Sequence, residues 1–290
     1  MMTNVHLLAV IPLFSFASSR LPEPSESEYA FTQISAPFDG SDQTLAYGIN
    51  DLGWIVGAYH DPGGDHGYLL KQGQFTPINV PFPGAIDTEA FGINLQGHIV
   101  GSYQTSDGSL HAFLLSRDRY TAIDAPTPGE TFARGINIQG EIVGGYRDVS
   151  GDHGFLWRQG VFTPIDVPFA GAHDTTTLGI NSLGQIVGGY TGDDDLLHGF
   201  VLQQGHFAPL DEPRVTETLP YGINNREQIV GTINFIFEHG HFKQLSGTPE
   251  TPAPNDVNPL AINDLGVVLV SAKTAAGDAA FLGVPIRRRF

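Results

Sequence analysis

Four histidines, His66, His111, His153 and His198, recur at one place in a repeated phrase, each followed by Gly or Ala and then an aromatic residue. Grouped imidazoles are metal-ligand chemistry. These four fall in successive copies of a unit, and the last two copies lack the residue. They therefore read as structural hydrogen-bonding groups. Six asparagines also recur: Asn50, Asn94, Asn137, Asn181, Asn224 and Asn263. A ring of six amides has the atoms to hold an ion. Each, however, directly precedes a tight turn, where an Asn side chain caps the backbone. The Asp-rich runs 61–65 and 193–195 carry calcium-type ligands without the spacing of a calcium loop. No metal site is expected. The absence of cysteine excludes disulfides, thiolate nucleophiles and Cys-ligated metals.

The chemistry that remains lies where the repeat departs from its own rule. Just before each Gly-Ile-Asn, and before its altered sixth copy Ala261-Ile262-Asn263, the residues are Tyr47, Phe91, Arg134, Leu178, Tyr221 and Leu260. Two residues earlier they are Leu45, Glu89, Phe132, Thr176, Leu219 and Asn258. Strand alternation puts both sets on one side. Aromatic and aliphatic walls with one Arg and one Glu have the make-up of a small-molecule site; the same residues would equally plug a channel. Arg134 and Glu89 are the candidate catalytic groups. Tyr47, Phe91, Phe132, Leu178, Tyr221 and Leu260 are the candidate binding residues. A single carboxylate falls short of the pair that glycoside hydrolysis needs. There is no Gly-X-Ser-X-Gly elbow, phosphate loop or dinucleotide fingerprint. The expectation is binding of a small apolar or aromatic molecule, or a cofactor-free reaction that needs only shape and a few hydrogen bonds.

These residues must be carried by a repeat of roughly 43 residues. Gly-Ile-Asn, a turn, Ile-Val-Gly, a polar loop, His-Gly-aromatic-Leu and Phe-Thr-Pro-Ile follow one another in the first and third units, and the other units carry altered or incomplete copies of the series. Four short β-segments joined by tight turns are antiparallel neighbours. A four-stranded meander at this period is a propeller blade, with a solenoid as the competing architecture. The ends of the chain decide. The sixth unit stops after Ala280-Phe281-Leu282, and an orphan fourth strand stands at Phe31-Thr32-Gln33-Ile34. A ring uses this permutation, because the first strand completes the last blade; a solenoid does not. The fold class is all-β, a six-bladed propeller over residues 29–290.

The repeat resembles the extracellular family named for its His-Ala-Phe motif. His111-Ala112-Phe113 is that triplet, and His66-Gly67-Tyr68, His153-Gly154-Phe155 and His198-Gly199-Phe200 are variants. Within it, size, leader and repeats are similar to the fungal hetero-Diels–Alderases of tropolonic sesquiterpenoid biosynthesis. That resemblance implies cofactor-free cycloaddition of a tropolone quinone methide with a humulene-type polyene. Arg134 would then bond the tropolone oxygens, Tyr47, Phe91, Phe132 and Tyr221 would enclose the polyene, and Glu89 would accept a proton. The alternative from another class is a non-catalytic secreted propeller that binds glycans or a surface partner.

A formal net charge of -17 argues against a nucleic-acid partner. The one basic cluster, Arg287-Arg288-Arg289, reads as a solvated tail. Residues 1–19, with the apolar run Leu7 to Ala17, read as a signal peptide cleaved near Ser19. Residues 20–28 read as a flexible lead-in. The chain is expected in the secretory pathway or outside the cell, with no segment long enough to span a membrane.

Overall fold

The computed structural model describes residues 27–246, 257–275 and 277–286, and its regular elements are all strands. The leader and most of the lead-in lie outside the described residues. The first strand, β1 (Ser27–Ile34), begins two residues before the expected boundary.

Each repeat forms one four-stranded antiparallel blade. The first blade is β2 (Gln43–Ile49), β3 (Ile55–Asp61), β4 (Gly64–Lys71) and β5 (Gln74–Ile78). The next three blades run from β6 (Ala85–Ile93), β10 (Thr131–Ile136) and β14 (His173–Ile180) outward. The fifth holds β18 (Pro220–Ile223) to β21 (His241–Ser246). The sixth is β22 (Val257–Ile262), β23 (Val268–Thr274) and β24 (Gly277–Pro285). β1 completes it, antiparallel to β24 from Tyr29↔Pro285 to Ile34↔Ala280. The six-bladed ring is thus closed by its own N-terminal strand.

The repeated phrases explain the blade. Val56, Val100, Val143, Val187 and Val230 of Ile-Val-Gly are 0% exposed, because the second strand is packed between neighbouring blades. The aromatic after each His-Gly or His-Ala fills the same layer; Tyr68, Phe113, Phe155 and Phe200 are also fully buried. Each such side chain stabilises the fold by roughly 1.5–3 kcal/mol. The Gly of Gly-Ile-Asn is required by close approach. A Cβ on Gly48 would stand 2.5 Å from the Phe91 carbonyl oxygen of the next blade.

The six asparagines do more than cap. Each Oδ1 accepts backbone N–H groups of its turn, as from Leu52 and Trp54 at Asn50, both 3.0 Å. Each Nδ2 also donates to the backbone carbonyl of the next asparagine. The circuit runs Asn50 to Asn94, Asn137, Asn181, Asn224, Asn263 and back to Asn50, with lengths of 2.9–3.2 Å. Local turn chemistry foretells the cap, while the ring of amides exists only once the blades are assembled. Asn94→Ala would remove the cap for Gln96 and His98 and the bond to Asn137 together. It should lower unfolding free energy by about 2–4 kcal/mol in denaturant titration. A loss below the error of that titration would show the ring to be incidental.

Candidate functional site

At the end of the ring opposite the asparagines lies a cavity of about 710 Å³. Tyr47, Phe91, Arg134, Leu178, Tyr221 and Leu260 all line it. The backbone explains why one position per blade is aimed inward. Every inner strand carries a β-bulge there, between Ala46 and Gly48, Ala90 and Gly92, Ala133 and Gly135, Thr177 and Gly179, Pro220 and Gly222, and Pro259 and Ala261. The extra residue is the variable one, and a bulge re-aims a side chain.

The second variable position divides. Phe132, Thr176 and Leu219 line the cavity, whereas Leu45, Glu89 and Asn258 do not. The expectation that Glu89 faces the mouth is therefore corrected. The residue paired with this position sets the room available. It is Gly145 opposite Phe132 and Gly189 opposite Thr176, but Ala58 opposite Leu45 and Ser102 opposite Glu89. A Cβ on Gly145 would stand 2.3 Å from the Phe132 ring, and one on Gly189 2.3 Å from Leu219. The cavity consequently opens toward the third to fifth blades, where Asp152, Asp174, Thr191 and Leu197 form its rim. These four were missed from sequence. The signal was the doubled glycine at 144–145 and 188–189, where the first two units have Gly57-Ala58 and Gly101-Ser102.

Arg134 is the cation of the inner ring. Its guanidinium carbon lies 4.0 Å from the Phe91 ring centre and 5.3 Å from that of Phe132. Its Nε is buried and bonds to nothing. No described carboxylate comes within salt-bridge distance of it. Although part of the side chain stays open to the cavity, burial holds its pKa below the ordinary arginine value, offset by the charge of Glu89. Glu89 instead accepts a hydrogen bond from the Tyr47 hydroxyl at 3.1 Å. Burial raises the Glu89 pKa against that bond and against Arg134. Burial, then the Glu89 charge, raises the Tyr47 pKa strongly. Tyr47 packs on Phe91 with ring centres 4.8 Å apart, so Tyr47, Phe91 and Arg134 form one stack.

The four histidines stay apart in their own blades. Each Nδ1 pairs with the side chain thirteen residues on: Asn79, Asp124, Asp166 or Asp211, at 2.9–3.3 Å. Each ring stacks on the tyrosine paired with it, Tyr59, Tyr103, Tyr146 or Tyr190. Partial burial pulls the His153 and His198 imidazoles down. The bonds and charges of Asp166 and Asp148, and of Asp194 and Asp211, outweigh it, and both pKa values stand above the ordinary one. A raised folded-state pKa gives stability that is present below the unfolded value of about 6.5 and lost as pH rises through the folded one. The melting temperature should fall as pH rises past neutrality, and fall less in a His153→Gln/His198→Gln variant. Equal slopes in the two proteins would refute the assignment.

The rim is acidic. Most mouth-side connections from the one carrying Asp39 to the one carrying Asp211 hold a carboxylate in the loop or at the strand end beside it; the connection over 79–84 holds none. Such a field repels anions and concentrates cations or neutral molecules at the mouth.

No family model and no curated protein matches the chain. Solved propellers do. A streptogramin B lyase structure superposes with a TM-score of 0.52 at 15% identity, over 90% of this chain and 88% of that one. YCF48 bound to D1 peptide gives 0.52 at 13%, over 92% and 100%. The SapL1 lectin in complex with alpha methyl fucoside gives 0.51 at 12%, over 80% and 88%. At these identities the likeness is one of fold.

Proposed function

We propose that this propeller binds a small uncharged molecule in its mouth and that oxygen atoms of the ligand accept hydrogen bonds from Arg134. The observation that carries this is the state of Arg134: a guanidinium stacked on Phe91, walled by apolar side chains, with no described carboxylate against it. A cation in such surroundings is costly until acceptors reach it. The acidic rim selects against an anionic ligand. A neutral molecule with oxygen acceptors meets both conditions.

A glycan is the first candidate. Aromatic faces stack on sugar rings, the rim offers Asp152, Asp174 and Thr191 to hydroxyls, and SapL1, a propeller of similar fold, is a lectin. The cycloaddition implied by the repeat resemblance is the second reading. The predominance of Leu178, Leu219, Leu260, Phe91 and Phe132 favours it, because these have nothing to offer a hydroxyl and suit a polyene. Such a reaction forms its new bonds without a leaving group. The site would supply orientation, worth up to roughly 7–11 kcal/mol in intramolecular models. Arg134 would donate to the tropolone oxygen, and a donor aimed at developing charge is worth on the order of 3 kcal/mol. Glu89 would act by fixing Tyr47.

One experiment separates them. The purified protein is titrated calorimetrically with alpha methyl fucoside and, separately, incubated with a humulene-type polyene and a tropolone quinone-methide precursor. Saturable heat with the fucoside and no adduct above the blank supports glycan binding. Adduct formed faster than the blank supports catalysis. Neither response, in wild type and Arg134→Leu alike, would leave the mouth as a plugged channel.

A further inference from the structure

The inner strand of the fourth blade carries three threonines in a row, Thr175, Thr176 and Thr177. Two of them are scaffold. Thr175 has counterparts in or just ahead of four other inner strands, Thr44, Thr88, Thr131 and Thr218. Each of these hydroxyls accepts a backbone N–H of the loop before its strand, that of Val167 at Thr175. Thr177 takes the Gly144 N–H and donates toward the Gly144 and Phe155 carbonyls of the third blade. Thr176 makes no such bond. Its Oγ1 is buried and bonds to nothing, and its side chain lines the mouth cavity. Burying a hydroxyl without a partner is costly. A valine would fill the same space without that cost.

Thr176 occupies the centre of the widened wall. β14 lies between β10 and β18 in the ring. Across the ladder from Thr176 stands Gly189, which adds no side chain. The approach of neighbouring strands fixes its height. A Cβ on Gly135 would stand 3.1 Å from the Leu178 carbonyl oxygen, and one on Gly179 2.9 Å from that of Tyr221. Arg134, Leu178 and Tyr221 are thus level on three successive blades. Thr176 sits two residues nearer the opening, about 6–7 Å along the strand. Tyr221 lines the cavity as well, and no described residue bonds its hydroxyl. Burial raises the Tyr221 pKa against the opposing charge of Arg134, so the phenol keeps its proton at neutral pH. Together with Arg134, whose Nε is also buried and unbonded, two hydroxyls without partners surround one part of the cavity.

We infer that Thr176 selects the ligand by hydrogen-bonding a hydroxyl on it, and that the site is built for a neutral molecule with at least two oxygens on one edge, one for Arg134 and a hydroxyl for Thr176. This rests on the mouth being a binding site, as proposed above, and adds which oxygens the site demands. The chemistry of the three groups sets the requirement. Arg134 only donates, whereas Thr176 and Tyr221 both donate and accept. A carbonyl or ether oxygen satisfies Arg134. A ligand hydroxyl also uses the lone pairs of Thr176 and Tyr221. A turn of about 120° about the Thr176 Cα–Cβ bond exchanges its hydroxyl with its methyl, a group of similar size, and brings the oxygen to the ligand. A hydrocarbon or a molecule with one oxygen leaves Thr176 buried and unpaired, and so binds more weakly than its hydroxylated counterpart.

Two measurements on the full chain test this. The first needs no ligand. Thr176→Val should melt at or slightly above the wild-type temperature, because no bond is lost. A fall of more than a few degrees would show the hydroxyl already paired inside the protein and would overturn the inference. The second is an NMR titration with cyclohexane-1,2-diol and cyclohexanol, a neutral pair that differs by one hydroxyl, with alpha methyl fucoside as a third probe. Wild type should prefer the diol roughly three- to tenfold, the worth of one added hydrogen bond. Thr176→Val should lose that preference by weakening the diol alone, Thr176→Ser should keep it, and Arg134→Leu should weaken both members of the pair. A preference unchanged in Thr176→Val while Arg134→Leu still weakens both would overturn the role of Thr176 and leave the mouth as a binding site. No binding of any of the three probes by wild type would remove the mouth as a site and this inference with it.

Discussion

Deleting residues 29–38 should yield a protein that aggregates or melts far below the full chain. β1 pairs with β24 along six consecutive residues and seals the last blade against the fifth. Tyr29 and Ile34 are 5% and 7% exposed. Tyr29 packs in one cluster with Val230, Ile236 and Leu245 of the fifth blade, and Ile34 in another with Ala46 and Tyr59 of the first. Loss of the strand therefore opens two blade interfaces and leaves β24 as a bare edge, which is a template for aggregation. Two large buried side chains at roughly 1.5–3 kcal/mol each, plus a ladder of hydrogen bonds, is a large part of a typical stability of about 5–15 kcal/mol. Thermal melting by circular dichroism with light scattering reads the result. A truncated chain that melts within a few degrees of the full one would mean the ring holds without its closing strand.

The ring was legible because each blade repeats the same local solution. Gly-Ile-Asn, Ile-Val-Gly and the orphan strand around Phe31 specify inner strand, second strand and closure without reference to distant residues. The variable ring of Tyr47, Phe91, Arg134, Leu178, Tyr221 and Leu260 was legible for the same reason, as departures from a fixed phrase. What escaped depends on assembled geometry. Simple alternation gave both variable positions to the mouth, but the bulge in every inner strand and the neighbour across the ladder decide the second one. Gly145 leaves space that Phe132 occupies, while Ser102 stands opposite Glu89, whose carboxylate turns to Tyr47. The amide circuit of the asparagines likewise needs six blades in place before any Nδ2 has a carbonyl to meet.

The same geometry makes Arg134→Leu the most informative change in the mouth. Had Arg134 been paired with Glu89, its removal would strand a buried carboxylate, a loss of about 3–5 kcal/mol that a second change at Glu89 would repair. The structure gives Glu89 a partner of its own, Tyr47, and gives Arg134 only ring faces. A cation–π contact is worth roughly 0.5–2 kcal/mol, and leucine returns apolar contact with Phe91 and Phe132 in its place. The melting temperature of Arg134→Leu should therefore stay within a few degrees of wild type. The double variant with Glu89→Leu should show only partial coupling in stability, from the charges the two groups feel across the shared Tyr47 and Phe91 and not from a bond between them. Function should respond very differently. Removing a charged donor that meets ligand oxygen weakens binding by about 1.5–3 kcal/mol, or roughly 10–150-fold. The same loss would fall on turnover if the ligand is the cycloaddition pair. Arg134→Lys should stand between, since an ammonium keeps the charge but neither the planar stack on Phe91 nor the forked donors. Calorimetry with alpha methyl fucoside, adduct yield with the polyene and quinone-methide precursor, and melting curves for all three variants decide the matter. A strongly destabilised Arg134→Leu, restored by Glu89→Leu, would make the pair structural and remove Arg134 from the site.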